Sequence, residues 1–216
     1  RLDLSYYSKG PLVAYLIAGS CRLLGGASQA WTGSEMFAVR APALVLSILT
    51  GLGIFVLARR TLGDDRLAFW AVAATATMPI LAVGSSLMTI DNPFVWAWTW
   101  ALAALREALR RDGWGWWLAC GGLIAIGILA KYTMVLILPA GGLAMLIEPS
   151  WRRYFRRPGP YLAAAIGLGL GLLPIVLWNA RHGWVSFRHV GGQAGVVDGV
   201  SWDLAGVLGY IAGQAV

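Results

Sequence analysis

Between the arginine clusters of this chain lie three long apolar runs, 36–58, 67–89 and 93–109, in which charge is sparse. Each is about long enough to cross a hydrocarbon core of roughly 30 Å, the third with help from its flanks. Backbone in lipid must satisfy its own hydrogen bonds, so runs of this kind can only be helices or strands of a closed barrel, and their length selects helices. Hydrophobic residues make up 58% of the chain and charged residues 12%, where a soluble domain carries about 25% charge. The fold class that follows is all-α, a polytopic transmembrane helical bundle.

Arginines set the sidedness. Arg59, Arg60 and Arg66 close the first loop and Arg106, Arg110 and Arg111 follow the third run, so both clusters share a side, which the positive-inside rule makes the cytoplasm. The stretch 113–147 carries one charge near its middle, Lys131, and is followed by the basic run 152–157. One crossing would put that run outside. Two short spans, 115–130 and 133–147, with Lys131 and Tyr132 at an outer hairpin, restore the parity and keep the lysine out of the bilayer centre. The layout continues with a span at 160–178, an outer loop at 179–203 and a further span from 204 onward. Residues 11–25 are too few to span comfortably, carry Arg22 and open on Pro11, which suits a first helical turn. They are expected to lie as a helix in the outer interface, within an outer segment 1–35 of a single transmembrane domain. The chain lacks an initial Met, shows no signal-peptide layout and stops inside an apolar run, so it is expected to be a piece of a longer protein, with membrane segments missing at both ends.

Of the 17 cations, Arg1, Lys9, Arg22, Arg40, Lys131, Arg181 and Arg188 fall on or near the outer side and the other ten on the cytoplasmic side. The net charge of +7 is therefore explained by topology, and nucleic acid is not an expected partner; membrane lipids are. Seven outer cations exceed what orientation needs. Twelve tryptophans gather at predicted span ends, among them Trp31, Trp114, Trp117, Trp151, Trp178 and Trp184, as an aromatic belt requires. Cys21 and Cys120 stand apart in apolar stretches and read as packing residues. The sequence has no phosphate-binding glycine loop followed by Lys-Ser/Thr, no HExxH, no GxSxG and no CxxC. Gly167, Gly169 and Gly171 fall inside a span, where small residues permit close helix contact. A substrate must then arrive through the membrane.

Four places could carry chemistry. Lys9 stands beside Tyr6 and Tyr7 and before a Gly-Pro turn; it either snorkels to lipid phosphates or binds a substrate phosphate at the helix start. Asp91 precedes Asn92 and Pro93 at an outer span end, where it either caps a helix or forms a functional pair with Lys131, Arg40 or a bound cation. Lys131 and Tyr132 either make a polar turn or line a cavity between broken helices. Residues 179–189 carry Arg181, His182, Arg188 and His189 among aromatics; the histidine spacing fits no metal pattern, and the arginines suit an anion.

Taken together, "LDLSYYSKGPLVAYLI", "SLMTIDNPFVWAWTWALAAL", "GILAKYTMVLILP" and "PIVLWNARHGWVSFRH" resemble, in order and spacing, the dolichyl-phosphate-mannose protein mannosyltransferase-like family, which includes the aminoarabinose transferases of lipid A. The resemblance implies a C-type glycosyltransferase fold in a bacterial inner membrane, with the site facing the periplasm. It implies a polyprenyl-phosphate sugar as donor and a lipid or a protein as acceptor. Lys9 would bind the donor phosphate with Tyr6 and Tyr7 shaping its loop, and Asp91 would have a catalytic or metal-linked role; Lys131, Tyr132, Arg181 and Arg188, read from their own settings, are the further substrate-binding candidates. The one cofactor it raises is a divalent metal, with no ligand set assigned. The family's Asp-Glu base motif would lie upstream; Asp3 does not match it, and by itself this piece is expected to be inactive. Gly10 replaces a second proline and is expected to soften the turn. A transporter or lipid flippase is the alternative from another class, although the repeated halves that such proteins usually show are not found; a purely structural membrane subunit is a third.

Overall fold

The computed structural model describes residues 2–7, 9–193, 206 and 209. Every regular element among them is helical: α1 (Leu12–Thr32), α2 (Met36–Leu62), α3 (Asp65–Ala76), α4 (Pro79–Gly84), α5 (Asp91–Arg111), α6 (Trp114–Ala130), α7 (Ile137–Ile147), α8 (Pro158–Ile166), α9 (Leu173–Arg181) and α10 (Val185–Gln193). A 3-10 turn, Tyr132–Leu136, leads into α7, another, Pro149–Arg156, links α7 to α8, and a π-helical turn, Gly167–Leu172, joins α8 to α9. Two continuous helical stretches, Met36–Leu62 and Pro158–Arg181, are long and apolar enough to cross a membrane.

Contacts fix the direction of each helix. Trp100 Nε1 donates to the Leu49 carbonyl at 2.9 Å and Arg60 pairs with Glu107 at 3.3 Å, so α2 and α5 run parallel. Helix α6 returns antiparallel to α5, with the Cys120 thiol beside the Ala101 carbonyl and Lys131 reaching Asp91. The chain then folds back at Lys131: Met134 packs on Gly127, and Ile137 and Met145 share a cavity wall with Ile124 and Trp117. The stretch from α8 to α9 follows α6, with Gly159 on Trp117, Gly167 on Ile124 and Gly171 on Ala125 and Ile128. An added methyl at Gly167 or Gly171 would come within 2.6 or 2.9 Å of these neighbours, so the close approach needs glycine. Gly169 faces nothing within 4 Å. The alanine row Ala97, Ala101, Ala104 and Ala108 of α5 is buried and lets α6 pack equally close.

One end of the bundle gathers the arginines around a carboxylate. Glu107, with 1% of its side chain exposed, receives Arg60, Arg106 at 3.0 Å and Arg111 at 2.8 Å, while Arg157 pairs with Asp112 and the Tyr154 hydroxyl donates to the Leu109 carbonyl. Asp91 and Lys131 mark the other end. Helix α5 joins the two over 21 residues, about 30 Å at 1.5 Å per residue.

Helix α1 departs from its expected extent, running to Thr32 rather than stopping near residue 25. It starts where Gly10 meets the Leu129 carbonyl at the end of α6 and finishes beside the start of α2, so both its ends lie at the Asp91 end of the bundle. Pro42 inside α2 has no N–H for the Ala38 carbonyl; the Ser20 hydroxyl of α1 donates to that oxygen at 2.6 Å. The run 67–89 is not one helix. Pro79 lacks a donor and holds Met78 in an extended conformation (φ −68°, ψ 122°), ending α3 at Ala76 and leaving α4 as a short piece. Residues 179–203 are not a plain loop either, since α10 falls within them. The run from 204 lies outside the described residues apart from Gly206 and Gly209. Two tryptophans leave the aromatic belt: Trp117 is buried against Gly159 and Tyr154, and Trp178 stacks on His182.

Candidate functional site

The end of α4 and the loop that follows it leave free backbone groups that Asn92 collects. Its Oδ1 accepts from the Thr89 N–H at 3.0 Å and the Thr89 hydroxyl at 2.9 Å, and its Nδ2 donates to the Gly84 carbonyl. With the start of α5 fixed in this way, Asp91 makes no side-chain cap. The capping reading of Asp91 therefore gives way to a pairing. Lys131, extended at the end of α6 (φ −149°, ψ 126°), places Nζ 2.8 Å from Asp91 Oδ1 and 5.5 Å from the centre of the Phe94 ring. Of the partners considered for Asp91, the structure supplies Lys131. The carboxylate also stands on the rim of a cavity of about 590 Å³ between α2, α3, α4 and α5, walled by Thr50, Ile54, Val72 and Phe94.

The N-terminal segment joins this end through its backbone. Gly10 is buried, and a methyl there would run into the Leu129 carbonyl. The turn is therefore packed rather than soft, and its approach holds the exposed Lys9 beside the end of α6. The Tyr6 N–H donates to the Lys9 carbonyl at 3.2 Å and closes the turn. Ser5 Oγ lies 3.4 Å from the Tyr132 hydroxyl, and the Tyr132 ring stacks on Phe187 of α10 at 6.2 Å and 12°. Ser186 Oγ donates to the Tyr6 carbonyl at 2.8 Å, and the Tyr7 ring lies 4.7 Å from that of His189. Tyr6, Tyr7, Lys9, Asp91, Lys131 and Tyr132 thus come to one end of the bundle. Arg181 and Arg188 are exposed and make no ion pair among the described residues.

Sequence reasoning passed over Asn179, Ser186 and Ser5, all fully buried. Asn179 organises the turn from α9 to α10: its Nδ2 donates to the Ile175 carbonyl, its Oδ1 accepts from the Ser186 N–H, and its carbonyl accepts from His182 and Trp184. Those two backbone bonds hold Trp184 at φ 59°, a region that bulky residues rarely adopt. An amide at the end of an otherwise apolar helix was the available signal. His182 and His189 go to separate aromatic partners, Trp178 and Tyr7, and among the described residues no three His, Cys, Asp or Glu side chains group around one point.

Comparison with known proteins gives this arrangement a family. Residues 8–178 match the model of the dolichyl-phosphate-mannose-protein mannosyltransferase family. Lipid A galacturonosyltransferase RgtD of Rhizobium johnstonii is 27% identical over 189 residues, covering 88% of this chain and 38% of that protein. The undecaprenyl phosphate-alpha-4-amino-4-deoxy-L-arabinose arabinosyl transferase of Pseudomonas aeruginosa strain UCBPP-PA14 is 30% identical over 169 residues, covering 76% of this chain and 29% of that protein. The protein of that name from Pseudomonas paraeruginosa is 30% identical over 173 residues, covering 78% of this chain and 30% of its own length. The chain thus spans well under half the length of these relatives. No solved structure matches. With the family model covering the bundle from the N-terminal turn into α9, the chain belongs to the dolichyl-phosphate-mannose-protein mannosyltransferase family.

Proposed function

We propose that the protein is an integral-membrane glycosyltransferase that moves a sugar from a polyprenyl-phosphate donor to a lipid acceptor of the lipid A kind, at the periplasmic face of the bacterial inner membrane. What carries the reading is the convergence of Lys9 and the Lys131–Asp91 pair at the end of the bundle opposite the arginine cluster, in a family member. One relative's name supplies a lipid A acceptor and the other's an undecaprenyl-phosphate sugar.

In such a transfer an acceptor oxygen bonds to the anomeric carbon as the bond from that carbon to the phosphate oxygen breaks. The phosphate leaves with the electron pair and needs no proton, so fixed cations at the departing group lower the barrier. A base must take the acceptor's proton. In this proposal Lys9 and Lys131 hold the phosphate, Asp91 sets the position of the Lys131 ammonium, and Tyr6, Tyr7 and Tyr132 shape the loop around it. Arg181 and Arg188 supply the outer approach with positive charge for an anionic lipid. A divalent metal has no ligand set in this scheme, and no step is routed through one.

The test uses membrane vesicles containing the full-length protein, undecaprenyl phosphate carrying radiolabelled galacturonic acid or 4-amino-4-deoxy-arabinose, and lipid A. Label on lipid A together with free undecaprenyl phosphate is the expected result. Movement of the donor across the bilayer without label on lipid A would instead support the flippase reading.

A further inference from the structure

We propose that the hollow between the N-terminal segment and the turn from α9 to α10 is a subsite for a pyranose ring; the inference rests on the glycosyltransferase reading and adds where a sugar is held. The hollow has a volume of about 480 Å³ and is walled by Asp3, Ser5, Tyr6, Tyr7, Trp178 and His182, within the range of small-molecule sites. A pyranose has an apolar face of C–H bonds and a rim of hydroxyls. Aromatic rings suit the first, and a carboxylate with hydroxyl groups suits the second.

Trp178 is built for this rather than for the lipid interface. An interfacial tryptophan turns its N–H toward the headgroups, whereas Trp178 Nε1 is buried and has no partner among the described residues. Its ring stacks on His182 at 4.0 Å and 11°, and His182 Nδ1 lies 2.8 Å from the Trp178 carbonyl, which fixes the imidazole against the indole. The hollow also adjoins the cations: Ser5 in its wall contacts the Tyr132 hydroxyl, and Tyr132 follows Lys131. A pyranose seated here would have its phosphate within reach of the end where Lys9 and Lys131 lie. Donor and acceptor lipid both offer such a ring, and kinetics separate them.

The experiment uses detergent-solubilised full-length protein with methyl galacturonide and methyl 4-amino-4-deoxy-arabinoside as probes. Saturation-transfer NMR should show the ring protons of a probe in contact with the wild type, and Trp178→Ala should weaken that binding on the order of tenfold. His182→Ala, at an exposed position, should do the same while keeping the fold. A matching fall in kcat/KM for varied donor alone assigns the subsite to the donor sugar, and a fall for varied lipid A alone assigns it to the acceptor; either supports the proposal. Absence of saturation transfer from the wild type, with His182→Ala unchanged in both kinetic arms, overturns it. If sugar transfer persists in that case, the glycosyltransferase reading stands without the subsite. Saturation transfer from a protein that moves no sugar would leave the subsite and remove that reading.

Discussion

Lys131 and Asp91 pair with 37% and 57% of their side chains exposed, and such pairs contribute about 0–1 kcal/mol. Stability alone is a weak reason for placing them at the rim of a cavity. Asp91→Asn is therefore expected to leave the thermal midpoint of the full-length protein nearly unchanged and to remove most sugar transfer; normal transfer would leave the pair without a functional role. The double exchange Asp91→Lys with Lys131→Asp should restore the pair without restoring transfer. Lys9 is expected to behave more sharply. Losing a charge-assisted contact of about 1.5–3 kcal/mol should lower kcat/KM for the donor by about 10- to 150-fold in Lys9→Ala, with Lys9→Arg recovering only part, because a planar fork does not replace a point charge in a tight turn. A lysine that only reaches lipid headgroups would leave both variants near wild type in the same assay. The sequence made these cations legible because charge in an apolar chain is conspicuous. It hid Asn179, whose amide is absorbed by backbone partners seven residues or fewer away, and Ser186, whose hydroxyl goes to the Tyr6 carbonyl far along the chain.

Helices were legible where apolar length and end signals agreed, as in α2, α5 and α6. They were not legible where a proline acts through its neighbours. Averaged over a window, 67–89 reads as one span, yet Pro79 divides it; Pro42 leaves α2 continuous because another helix supplies the missing donor. That contrast is testable by a double-mutant cycle on thermal unfolding. Ser20→Ala should destabilise by about 1 kcal/mol, and in a Pro42→Ala background, where residue 42 regains its N–H, most of that loss should vanish. Additive losses would mean that the Ser20 hydroxyl does not compensate the proline.

At the scale of the whole molecule, the spacing along the sequence of the arginine clusters and of Asp91 and Lys131 matches the two ends that the contacts assemble. Cysteine at position 153, beside the arginine cluster, is expected to resist an impermeant reagent applied to the outer face of intact cells, and cysteine at position 131 to react; labelling at 153 would reverse the orientation. Glu107 was not legible, because one carboxylate among three arginines, Arg106, Arg110 and Arg111, looks like a solvated helix end. Its burial makes it the centre of that end, and Glu107→Gln, which leaves three partly exposed arginines facing one another, should cost about 1.5–3 kcal/mol in thermal unfolding while transfer at the far end persists in the protein that remains folded.

The π-helical turn at Gly167–Leu172 sets a rotational phase. A turn of this kind accommodates one residue more than an α-helical turn, and each residue advances a helix by about 100°. Below it, Gly159 and Ala163 are in phase with α6; above it, Asn179 is in phase with α10. Removing one residue from it would let the turn become α-helical with the stretch beyond close to its present phase, whereas forcing all six residues into α geometry would swing that stretch by about a quarter of a revolution. The crossing would survive, but Trp178 and Asn179 would face elsewhere. The one extra residue held by the wider turn is therefore the angular offset between the part of the helix that packs on α6 and the part that meets α10.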